Sequence, residues 1–154
     1  MPADLSIPER KEFRLELLDL RMGVSEDDPT LITIKQAAIR ENSIRSNLFA
    51  ELVREPATEG QRERFIFRLP MYTLVAKEVY LTMVGCNLTR AGKPLFKFKK
   101  GPEGEFLDMN ENQFMAAWGL IDDETATEIH SKVLELNPHW DIGSGTAEEV
   151  GLGE

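Results

Sequence analysis

The chain has little of what catalytic and metal-binding proteins commonly use. It holds one cysteine, Cys86, and two histidines, His130 and His139, in 154 residues. A lone cysteine excludes an internal disulfide and a cysteine zinc cage, and suits a reducing compartment. The histidines show neither the H-x-x-x-H nor the H-E-x-x-H spacing that sets two metal ligands on one helix face. Basic side chains are also in deficit: 18 Lys and Arg face 27 Asp and Glu, for a net charge of −9 and a pI of about 4.8. Neutralising phosphates needs a surplus of cations over at least one face, so this balance argues against nucleic acid and anionic lipid. No run approaches the ~18 apolar residues of a membrane span. The stretch MPADLSIPERKEF lacks an apolar core segment, so no signal peptide is expected there. Phosphate loops of the G-x-x-x-x-G-K-[ST] or G-x-G-x-x-G type and the G-x-S-x-G elbow are missing too.

What is present is ordinary globular material. Hydrophobic residues make up 42% and charged residues 29%, and a chain of this length buries roughly 70% of its unfolded surface in one domain. Ser6-Ile-Pro-Glu9 reads as a capping box before Phe13, Leu17, Leu20 and Val24 at helical spacing, with Gly23 as the stop. A strand competes there, because Phe13, Leu15 and Leu17 alternate; the helix is the preferred reading of residues 8–22. Ser25 to Pro29 is a turn, and Leu31-Ile-Thr-Ile34 a short strand. Ala37, Ile44, Leu48 and Leu52 line one stripe of an amphipathic helix that Pro56 stops. A polar loop follows at 57–62, and Arg64 to Arg68 has strand propensity.

Val75, Val79 and Met83, flanked by Tyr72, Ala76, Tyr80 and Val84, predict the most apolar helix of the chain. Asn110-x-x-Gln113 is a capping box for a helix through Phe114, Ala117 and Trp118, with Gly119 at its end. Asp123 opens a last helix with Ala126, Ile129, Val133 and Leu136 inward, closed by Asn137-Pro138. Val75, Val79, Met83, Trp118, Ile129 and Val133 are the expected core. The expectation is a mainly α (α+β) fold: one helical domain over 1–142 with a short β-hairpin at about 88–106, and a flexible acidic tail at 143–154.

None of the candidate catalytic groups assembles into a recognisable site. His130 is expected on the polar side of its helix and His139 just beyond it, near a helix C-terminus. Cys86 is read as following the apolar helix, where the dipole would raise its pKa and leave a buried inert thiol. The adjacent pairs Asp27-Asp28 and Asp122-Asp123 serve solvation and helix starts. No catalytic, cofactor or metal residue is assigned, and the expectation is not an enzyme.

One stretch stands apart. Residues 88–101, LTRAGKPLFKFKKG, hold five of the 18 basic side chains: Arg90, Lys93, Lys97, Lys99 and Lys100. Alternation puts Leu95, Lys97 and Lys99 on one face, with Phe96, Phe98 and Lys100 on the other. Gly101-Pro-Glu-Gly104 would reverse the strand, with Glu103 and Glu105 available to pair with the lysines. Lysine–aromatic interleaving occurs in single-stranded nucleic-acid platforms, but those need several strands and a groove. A solvated hairpin that contacts an acidic protein is the preferred reading, with Leu95, Phe96, Phe98, Lys97 and Lys99 as partner-binding residues.

The order LTMVGCNL, AGKPLF, a charged insert, FMAAWGL and ATEIHSKVLELNPHW over residues 80–140 resembles the C-terminal part of tail assembly chaperones of long-tailed bacteriophages. Gly92, Leu95 and Phe96 match that group's turn, Phe114 and Leu120 its short helix, and Ile129, Val133 and Asn137 its last one. The acid the group carries before the glycine is missing, Arg90 standing near that place. The resemblance implies a non-enzymatic protein of the host cytoplasm that binds tape measure or tail tube components during virion assembly and then leaves. A tail or head–tail component retained in the virion is the alternative, and an enzyme with an unrecognised site the third.

Overall fold

A computed structural model describes residues 1–52 and 70–141. Five α-helices and seven strands in three small sheets occur among these residues, so the fold is α+β and the expectation of a mainly helical protein is corrected. The expected strand at 64–68, the loop at 57–62 and the tail at 143–154 lie outside the described residues.

The first correction falls at the start. Arg10–Arg14 is a strand, β1, and only Glu16–Met22 is helical, α1. The alternating pattern wins up to Leu15 because Phe13 and Leu15 are both buried while Leu17 and Leu20 are exposed. The supposed capping box at Ser6 precedes no helix. Gly23 does end α1, in the left-handed conformation (φ 68°) that glycine adopts without a Cβ clash.

Strand β2, Leu31–Lys35, pairs antiparallel with β1, Phe13 opposite Ile32. Helix α2, Ile39–Leu52, follows, with Ala37, Ile44, Leu48 and Phe49 half-buried. Helix α3, Pro70–Thr82, stops one residue short of the expected Met83. Met83–Cys86 is instead β3, the far edge of a three-stranded antiparallel sheet ordered β1-β2-β3. A short apolar run fits a buried strand as well as a helix turn, and here the exposed edge of β2 takes it. Gly85 permits the pairing: a Cβ there would lie 3.1 Å from Thr33 Oγ1, beside the bulge between Thr33 and Ile34.

Two minimal ribbons come next, β4 (Thr89–Arg90) with β5 (Lys93–Pro94) and β6 (Phe98–Gly101) with β7 (Gly104–Leu107). Helices α4, Glu111–Trp118, and α5, Asp123–Leu136, follow, with a 3-10 turn at Pro138–Trp140 near the end of the described residues. The capping box of α4 is present in full: Asn110 accepts from Gln113 N–H at 2.8 Å and Gln113 accepts from Asn110 N–H at 2.9 Å.

The core lies between the sheet and the helices α3, α4 and α5. Phe13, Ile32, Ile34, Val79, Met83, Phe114, Ile129 and Val133 form one cluster, and Val75 and Trp118, also expected inside, are half-buried. Burying each large apolar side chain contributes about 1.5–3 kcal/mol. Phe114 sits at the centre of a ring stack, 5.5 Å from Phe96 and 5.9 Å from Trp118.

Candidate functional site

The basic stretch divides between the two ribbons and does not make one hairpin. Ala91 (φ 53°) and Gly92 (φ 77°) both take positive φ between β4 and β5, the geometry of a tight two-residue hairpin loop. The Gly101–Gly104 reversal between β6 and β7 is as expected. Alternation holds from Phe96 to Lys99, with Phe96 and Phe98 inward and Lys97 and Lys99 exposed, and breaks at its ends, where Leu95 is half-buried and Lys100 exposed. Phe96, however, is 2% exposed and stacked on Phe114. It is a core residue, with no surface left for a partner. Phe98 and Leu95 are half-buried against the same cluster.

The expected pairing with Glu103 and Glu105 does not form. Among the described residues Arg90, Lys93, Lys97, Lys99 and Lys100 make no ion pair. Glu105 instead offers its backbone carbonyl to Arg10, which joins β7 to the start of β1.

Leu95 opens onto a groove of about 410 Å³ between α1, the β4–β5 ribbon and the α4–α5 turn. Leu18, Met22, Leu88 and Leu120 line it with Leu95, and Arg90 stands among them. A smaller depression of about 330 Å³ continues past Leu88 and Met22 to Val24 and Pro29. Met22, Leu120, Leu17 and Leu20 are 52–81% exposed, a high share for large apolar side chains. Arg21 fixes α1 beside this groove by donating to Thr125 Oγ1 at 2.8 Å and Asp122 at 3.2 Å, and it also reaches Glu124. Asp122 is the N-cap of α5, and its bonds from Thr125 hold its carboxyl below the ordinary range. The Asp122-Asp123 pair is thus a helix start, as expected.

A second arrangement was hidden from sequence reasoning. Glu78, on α3, is 1% exposed. It accepts from Arg45 Nε of α2 at 2.5 Å and from His130 Nε2 of α5 at 2.6 Å. His130 is therefore no polar-face residue: its side chain is 16% exposed and locked to a buried carboxylate. Arg45 also donates to the Trp140 carbonyl at 3.3 Å and lies 5.3 Å over the Trp140 ring. Leaving any member of such a trio unpaired would be costly, which ties the three helices together. On its other side His130 lines a cleft of about 370 Å³ with Val75, Trp118, Ile121, Asp123 and Thr127. The helical pattern could have signalled it, since His130 adjoins Ile129 and lies one turn beyond Ala126. His139 is elsewhere, with Nε2 2.9 Å from Asn42 Oδ1.

Cys86 ends β3, not a helix. Burial, with no help from a helix dipole, pushes its thiol up to about 11. No group of His, Cys, Asp and Glu suited to a metal ion occurs among the described residues. No helix among them is long and apolar enough to cross a membrane. No protein-family model matches the chain, and no curated protein or solved structure does either.

Proposed function

We propose that this chain is a non-enzymatic protein-binding domain of phage tail assembly, holding a tape measure or tail tube component while the virion is built. The tail-assembly half of the reading comes from the resemblance over residues 80–140. The protein-binding half is supported by one juxtaposition: Arg90, which makes no ion pair among the described residues, lines an exposed apolar groove with Met22, Leu88, Leu95 and Leu120. Apolar anchors carry most interface energy, whereas rim cations mainly steer and select an acidic partner. Leu95 keeps its place among the partner-binding residues, Lys97 and Lys99 serve as steering charges, and Phe96 holds the ribbon to the core.

The experiment is coexpression with a candidate tape measure protein, a long helical chain encoded beside this one if the reading holds, alongside mass spectrometry of purified particles. The expected result is a complex that Leu95→Asp with Leu120→Asp breaks, and particles that lack this chain. Fixed stoichiometry in particles would transfer the chain to the retained structural components. Salt-sensitive capture of single-stranded DNA that Lys97→Glu with Lys99→Glu abolishes would overturn the protein-binding reading.

A further inference from the structure

We propose that the cleft between α3, α4 and α5 binds a primary organic ammonium ion with an aromatic or aliphatic body. The body has a prepared place. Val75, Trp118, Ile121 and Ala126 supply an apolar wall around about 370 Å³, and Tyr72 stands at its mouth. That volume lies in the range of small-molecule sites. Trp118 is stacked on Phe114 at 5.9 Å, so its ring is held in position and does not fold into the space. Aromatic faces also attract cations through the ring quadrupole.

The polar groups decide the charge of the ligand. Glu78 as a carboxylate can only accept hydrogen bonds, so the 2.6 Å contact places the ring proton of His130 on Nε2. In the neutral ring Nδ1 is then an acceptor. Thr127 adds a hydroxyl and Asp123 a carboxylate, and no lysine or arginine lines the cleft. Arg45, the cation behind His130, is committed to Glu78 and the Trp140 carbonyl. Helix α4 ends at this cleft with no basic residue in its last turn, so its negative end is not neutralised. The positive start of α5 is offset by Asp122, Asp123 and Glu124. Acceptors, aromatic faces and a net charge of −9 all favour a cation with N–H groups to donate.

The test titrates the isotope-labelled full chain with three probes of one shape near neutral pH: 2-phenylethylammonium, 2-phenylethanol and 3-phenylpropionate. The ammonium should shift the Trp118 indole and Ala126 amide signals with a Kd on the order of 1–10 mM, as befits so small a ligand. The alcohol should bind at least about threefold more weakly, and the carboxylate not measurably. Asp123 is exposed and makes no bond among the described residues, so Asp123→Asn should fold normally. It should weaken the ammonium by about three- to tenfold while leaving the alcohol unchanged. Asp27→Asn, in a different acidic turn, should change neither. Equal binding of ammonium and alcohol, shifts that map outside the cleft, equal losses in the two asparagine variants, or no shift at all would each overturn the proposal.

Discussion

Glu128 caps a helix to which it does not belong. Its Oε1 accepts the Leu18 N–H at 2.9 Å and its Oε2 the Leu17 N–H at 2.8 Å, from α5 to the first turn of α1. Leu15 stands at the N-cap of α1 and offers no side-chain acceptor. A carboxylate from another helix therefore satisfies donors that would otherwise be left without partners. Glu128→Ala should lower stability by about 2–4 kcal/mol, since two N–H groups lose a charged acceptor in a nearly closed site. Glu128→Gln, which keeps one oxygen, should fall between. Urea midpoints read both, with exposed Glu135→Ala as reference; a Glu128→Ala variant as stable as that reference would show the cap to contribute nothing.

Asp19 makes stability depend on acid. Burial pushes its carboxyl up, but bonds to Oδ2 from Thr30 N–H and Arg14 Nε, each 2.9 Å, outweigh burial and hold it below the ordinary 3.8. A depressed carboxyl contributes stability that is full above its unfolded value and is lost as pH falls through the folded one. The wild type should thus weaken on acidification below about pH 4. Asp19→Asn should be weaker at neutral pH and flatter in that window. Parallel stability–pH curves for the two chains would contradict the assignment.

Phe96 and its neighbours should separate cleanly by role. Phe96→Ala removes a ring buried against Phe114 and should cost about 3–5 kcal/mol. Lys97→Glu and Lys99→Glu, both exposed, should stay within about 0.5 kcal/mol of wild type. Thermal unfolding distinguishes them. Loss of stability in the lysine variants would mean that the ribbons carry an ion pair in solution.

The Cys86 thiol should be sluggish in the folded chain. With the thiol pushed up to about 11 from an ordinary 9.0, the thiolate fraction near pH 8 falls roughly a hundredfold on folding. An aromatic disulfide reagent should label it slowly in buffer and rapidly in urea. Equal rates would place Cys86 in open solvent.

Val79 and Ile129, fully buried on facing helices, test the core itself. Alanine at either should cost about 1–4 kcal/mol by lost transfer energy and a residual cavity. Denaturant midpoints unchanged at both positions would displace α3 and α5 from the core.

Short-range chemistry was legible in the chain. The Asn110–Gln113 box, the Gly23 and Gly119 stops, strand β2 and the 101–104 reversal are decided within four or five residues. Alternation put Phe96 and Phe98 on one face, but both were expected at a partner surface, and that this face turns to the core was decided by Phe114. Where two local patterns competed, the choice lay outside them. Residues 10–14 and 83–86 became strands because β2 could pair on both edges, Phe13 against Ile32 and Gly85 against Thr33.

The sequence by itself determined the acidic balance, the lone thiol, the helix caps and the apolar stripes that build the core. Tertiary structure alone decided what the buried polar groups do. Glu128 meets Leu18 across 110 positions, His130 meets Glu78 across 52, and Asn137 accepts from Ala37 N–H across 100. A buried charge or amide must find a partner with the right geometry. That partner is set by how helices and sheet pack, which no window of neighbouring residues encodes.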